Sequence, residues 1–140
     1  MSPVIDRLAE LRRHLDHLHE LRPRVAAPEA LRDDLSLSND VLHSLQIVCQ
    51  VVIDVASELS ARRGLRFQTY TDAVRNLAAI PELSSVRVQD LERLPGFRNV
   101  LIHEYVVLDY RLVVEALDRL DALEEFVQAV RRIELDARRQ

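Results

Sequence analysis

Val41-Leu42-His43-Ser44-Leu45-Gln46-Ile47-Val48-Cys49-Gln50-Val51-Val52-Ile53-Asp54-Val55-Ala56-Ser57-Glu58-Leu59 reads as one long helix. Its apolar residues fall at Val41/Leu42, Leu45, Val48/Cys49, Val52/Ile53, Ala56 and Leu59, and steps of three and four gather on one face. The stripe is wide, which predicts a central place in a bundle. Ser36 or Ser38 is placed to cap its start, and Gly64 stands where a left-handed residue closes a helix.

The flanking chain has the same period. Leu8, Leu11, Leu15 and Leu18, with Val4 before and Leu21 after, lay a stripe along a first helix that Pro23 and Pro28 terminate. A short piece carrying Leu31 and Leu35 precedes the long helix. Val74, Leu77 and Ala78 predict a short helix ended by Pro81. Val88, Leu91 and Leu94 begin another, which Pro95-Gly96 interrupts or kinks and Phe97 to Tyr105 resume. Asp109 is a candidate N-cap for a last helix through Leu112/Val113, Ala116/Leu117, Leu120, Leu123, Val127 and Val130. Residues 131–140 read as a charged tail expected to fray. With two glycines and threonine only at Thr69 and Thr71, hairpins have little turn chemistry to draw on. The expected fold is all-α, an antiparallel bundle of four main helices plus short ones, in a single domain over 1–140.

Composition narrows the function classes. The chain has 140 residues, 48% hydrophobic and 30% charged, a globular balance in one-domain length. No uninterrupted apolar run approaches the roughly 18–20 residues of a membrane span, and no leader pattern opens the chain. No membrane partner is expected, and the expected compartment is the cytoplasm. One cysteine excludes an internal disulfide framework. All 19 basic residues are arginine; either a GC-rich genome or phosphate recognition by guanidinium forks would explain this. A net charge of −4 argues against a globally basic nucleic-acid surface, so any polynucleotide would meet a local cluster.

Several constellations carry little chemistry. His14, His17 and His19 lie off the leucine stripe, on the expected water side, and offer too few convergent ligands for a closed metal site. Asp16-x-x-His19 and Asp40-x-x-His43 have the spacing of a di-iron bundle, but both use Asp and neither faces a core. No metal and no cofactor are expected. Cys49 sits in the buried stripe with no arginine or lysine within a turn, so it reads as a core residue. Glycine-rich phosphate loops and GxSxG elbows are absent.

One segment remains, Arg98-Asn99-Val100-Leu101-Ile102-His103-Glu104-Tyr105. It sets a permanent cation, an amide, an imidazole and a phenol among aliphatic anchors. At about 100° per residue, Arg98 and Tyr105 fall within about 20° of each other, whereas His103 lies about 140° from Arg98. Arg98 and His103 share a cleft only if the helix ends or distorts near His103, or if the cleft is wide and a second subunit contributes.

Arg98-Asn99-x3-His103-x-Tyr105, preceded by Gly96-Phe97, resembles the signature of HEPN-domain ribonucleases, and more narrowly the HepT toxins of HepT–MntA toxin–antitoxin pairs. The leucine-rich first helix, the stretch from Leu45 to Ala56 and the segment from Tyr70 to Leu77 also resemble that family, over roughly Ile5 to Val130. The resemblance implies a homodimeric, metal-independent endoribonuclease, the toxin of a type VII-like system with RNA as substrate. Arg98 and His103 would be catalytic and Asn99 supporting. An MntA-like nucleotidyltransferase antitoxin would AMPylate Tyr105 and so block the cleft. Arg62, Arg63, Arg66, Arg75 and Arg93 are candidates to line an RNA groove. The competing readings are a non-catalytic HEPN subunit that binds nucleotide or serves as scaffold for a nucleotidyltransferase, and a plain structural helical dimer.

Overall fold

A computed structural model describes residues 3–139; the backbone of Tyr105 is described and its side chain is not. Eight α-helices run in order among the described residues: α1 (Pro3–Leu21), α2 (Pro28–Asp33), α3 (Leu35–Arg62), α4 (Tyr70–Arg75), α5 (Val88–Leu91), α6 (Leu94–His103), α7 (Tyr110–Leu117) and α8 (Leu120–Arg139). Short 3-10 turns join them, and no strand occurs among the described residues. This is the all-α bundle that the periodicity predicts.

The α3 helix is the hub. It packs against α1, α2, α4 and α6, while α1 also packs on α8. Its width of stripe follows from this: Leu45, Val48, Val52, Ile53, Ala56 and Leu59 are all buried, and so are Val51 and Val55 on the flanks. By length and composition alone α3 is apolar enough to cross a membrane, but 56% of its most apolar window is buried inside the bundle. Counting uninterrupted runs misses this, because its polar residues are spread singly among apolar ones.

Its cap is not the expected serine. Asp34 precedes the helix in extended backbone and accepts the Leu37 N–H. A carboxylate one residue outside the helix satisfies the free amides and meets the positive end of the dipole, whereas Ser36 and Ser38 already lie inside the helix. At the other end Gly64 takes φ +67°, as its position predicts.

Two further boundaries differ. Pro95-Gly96 does not interrupt a helix; Pro95 occupies the first turn of α6, where its missing N–H costs no hydrogen bond. The single last helix is two: Asp109 does cap α7, accepting the Arg111 N–H, but the chain turns at Asp118 and Arg119 before α8. The charged tail continues as helix through Arg139, and Glu134 within it is buried and paired with Arg62 of α3.

The histidines also divide. His14 faces α3 rather than water: it bonds Ser44 at 2.9 Å and Glu10 at 3.0 Å, and its ring meets His43 edge-on at 5.8 Å. Ser44 opposite it draws the imidazole inward as a hydrogen-bond partner. Among the described residues His17 has only a distant contact, with Glu20, and the exposed His19 reaches Glu124 on α8. Among the described residues no three His, Cys, Asp or Glu side chains gather as a metal site requires.

Candidate active site

The motif residues lie along α6 and just past its end. Leu94, Phe97 and Leu101 hold this helix against the core, with Leu101 buried and the other two partly so. The helix ends at His103; the Glu104 N–H closes the last turn on the Val100 carbonyl at 3.0 Å, and Tyr105–Val107 forms one 3-10 turn. The helix ends only after His103, so Arg98 and His103 both lie within it and their separation of about 140° stands inside one chain.

Arg98 points towards α3. Its Nε donates to Gln50 Oε1 at 2.7 Å. Gln50 Nε2 donates in turn to Asp54 Oδ1 at 2.9 Å, and Arg7 of α1 holds Asp54 Oδ2 at 2.8 Å. This chain orients the guanidinium from behind. Its Nη2 hydrogens meet no acceptor among the described residues.

Asn99 and His103 are one helical turn apart, and with Val100 and Glu104 they line an open concavity of about 390 Å³. His103 is exposed there. Arg98 does not line that concavity, although Nη1 lies 3.4 Å from Asn99 Oδ1. Within one chain the structure joins Asn99 to His103 and places Arg98 on the adjoining side of the helix. The Tyr105 phenol lies outside the described residues. Val106 and Val107, directly after it, are 83% and 79% exposed.

Cys49 is buried behind Arg98. Burial pushes its thiol up to about 12, only partly opposed by the Arg98 charge, so it is no nucleophile. That arginine comes from another helix and is invisible to inspection of a single turn. The cavity of about 310 Å³ that Cys49 shares with Leu45, Phe97 and Leu123 contains none of the motif residues Arg98, Asn99 and His103.

Most of the arginines proposed for a groove are engaged by carboxylates: Arg62 by Glu58 and Glu134, Arg63 by Glu82, and Arg75 by Glu92 at 3.7 Å. Arg66 and Arg93 have no ion-pair partner among the described residues. Sequence reasoning missed Gln50 altogether. Its signal was an i,i+4 polar pair, Gln50 and Asp54, in an otherwise apolar helix.

A family model described as Ribonuclease HepT-like matches residues 11–130 of the chain. A curated relative, the mRNA nuclease HepT of Shewanella oneidensis, is 22% identical over 130 residues, covering 91% of this chain and 96% of that protein. Among solved structures, the tri-AMPylated Shewanella oneidensis HEPN toxin in complex with MNT antitoxin aligns with a TM-score of 0.78 at 22% identity, covering 94% of this chain and 99% of that one. A mutant of the MntA–HpeT toxin–antitoxin pair aligns at 0.80 with 21% identity and the same coverage.

Proposed function

The chain belongs to the Ribonuclease HepT-like family, and from that premise we propose that it is the toxin of a toxin–antitoxin pair, an endoribonuclease whose centre is Arg98 and His103. The observation that carries this reading is the position of His103. It is exposed at the last residue of α6 beside Asn99, while Arg98, five residues earlier on the adjoining side of the helix, is oriented by Gln50.

The chemistry asked of these groups is modest. The RNA 2′-oxygen attacks the adjacent phosphorus, giving up its proton to a base, and the bond from phosphorus to the 5′-oxygen breaks as an acid protonates that oxygen. The products are a 2′,3′-cyclic phosphate and a 5′-hydroxyl. No protein nucleophile is consumed. His103 moves the proton, a contribution typically about 10²–10⁴-fold; Arg98 stabilises charge on the phosphorane. Asn99 orients His103 or the phosphate. Two symmetry-related centres in a homodimer supply one histidine as base and the other as acid, and the exposed Val106–Val107 pair beside the motif is suited to pack against a second copy.

Neutralisation acts on Tyr105. Its phenolic oxygen attacks the α-phosphorus of ATP in the antitoxin's active site and pyrophosphate leaves. The resulting phosphodiester sets a negative charge and a bulky nucleoside beside the motif. Both partners meet in the cytoplasm.

The test is cleavage of RNA in EDTA by the purified protein and by His103→Ala, with the end groups identified. Cyclic phosphate ends that vanish in the variant are the expected result. Cleavage that survives His103→Ala, or no cleavage by protein whose Tyr105 is unmodified by mass, overturns the reading and leaves a non-catalytic partner. Co-expression with the cognate nucleotidyltransferase should add AMP-sized mass steps that Tyr105→Phe abolishes.

A further inference from the structure

A second concavity adjoins the first. It lies between the segment from Phe67 to Thr71 and the start of α6, and Asn99 lines both. In a chain that is 30% charged, every side chain lining this second concavity is neutral. Gln68 and Asn99 offer amides, and Thr69 and Thr71 offer hydroxyls. Phe67 is partly buried against the core, while Tyr70 is 54% exposed at the rim.

The segment is held before any ligand arrives. Asn76 Nδ2 donates to the Arg66 carbonyl at 3.1 Å, Thr69 Oγ1 accepts the Asp72 N–H at 3.0 Å, and Asp72 accepts the Gln68 N–H. Gly96, in the first turn of α6, also lines the concavity. Its φ is not positive, so the backbone does not require glycine there, and alanine would suit a helix better. A Cβ at Gly96 would meet nothing within 4 Å. What the missing side chain provides is room.

We propose that this concavity is a nucleobase subsite, in which an unstacked RNA base adjoining the scissile phosphate stacks on Tyr70 and exchanges hydrogen bonds with the Gln68 and Asn99 amides. The absence of charge favours a neutral heterocycle over a phosphate. Amides pair with base edges, and an aromatic rim is how single-stranded RNA bases are held. Asn99 makes the path to His103 continuous. The proposal rests on the RNA-cleavage reading and adds where the protein senses sequence.

The experiment uses oligoribonucleotides with one mapped cleavage site. 2-Aminopurine is placed singly at each position around a 2′-O-methyl group that blocks attack. Wild type should quench one position by stacking, and Tyr70→Leu and Gly96→Leu should both lose that quenching. With cleavable RNA both variants should raise KM about 10- to 100-fold, one base stack, with kcat retained. An abasic residue at that position should raise wild-type KM similarly and erase the difference between the proteins. Unchanged quenching and KM in both variants, or a change of oligomeric state in place of RNA binding, overturns the subsite. If no cleavage site can be mapped, 2-aminopurine is scanned through every position of the unmodified oligoribonucleotide, so failure of cleavage alone counts against the nuclease reading and the subsite is still judged by which position is quenched and whether both variants lose it.

Discussion

Gln50 of α3 accepts the Arg98 Nε–H at 2.7 Å while donating to Asp54 at 2.9 Å. Arg98 is thereby tied, through Asp54 and Arg7, to the packing of α1 on α3. Gln50→Leu keeps the bulk and removes the acceptor. Loss of orientation by about 1 Å is worth up to roughly 10²-fold, so kcat for RNA cleavage should fall about 10- to 100-fold while the thermal midpoint moves little. A matched fall in stability and activity would make Gln50 a packing residue only.

Cys49 should be inert in the native protein. With its thiol pushed up to about 12 by burial, only about one molecule in 10⁴ is ionised at pH 8, and none presents its sulfur to solvent. Iodoacetamide should add no mass to native protein and one adduct in urea. Cys49→Ala should cleave RNA like wild type. Native labelling that abolishes cleavage would contradict both statements.

The ion pair between α1 and α8 predicts an acid-labile contact. The Arg12 guanidinium, and secondarily His19, hold the Glu124 carboxyl below its ordinary value of 4.5. A carboxyl depressed in the folded state stabilises fully above its unfolded value and loses that contribution as pH falls through the folded one. Both side chains keep solvent contact, at 39% and 25% exposure, so the contribution is about 1 kcal/mol or less. Urea titrations should find Glu124→Gln less stable than wild type at pH 7, with the gap closing below pH 4.5. A gap still open at pH 2 would refute the linkage.

Capping makes a local prediction. Asp34→Ala should cost about 0.5–2 kcal/mol, because Asp34 carries the N-cap bond of α3. Ser36→Ala, exposed and inside the helix, should stay within about 0.5 kcal/mol. Gly64→Ala should also destabilise, by about 1 kcal/mol, because φ +67° is costly for any side chain. Denaturant midpoints decide all three.

The sequence alone determined what depends on neighbours along the chain. Apolar period set α1 and α3, Asp109 capped α7, Gly64 closed α3, and the run from Arg98 to Tyr105 carried the family resemblance. It determined the helix ends poorly: an Asp34 cap competes with nearby serines, and proline at a first turn reads like proline at a break. Only the tertiary structure could decide what depends on contacts between helices. It paired Arg98 with a glutamine 48 residues away, turned His14 inward to Ser44, bound the tail through Glu134 to Arg62, and set the concavity of Phe67 to Thr71 beside Asn99. The physical reason is that a helical face is written locally, at 3.6 residues per turn, whereas the partner it meets is chosen by packing across the core, which no spacing within one helix records.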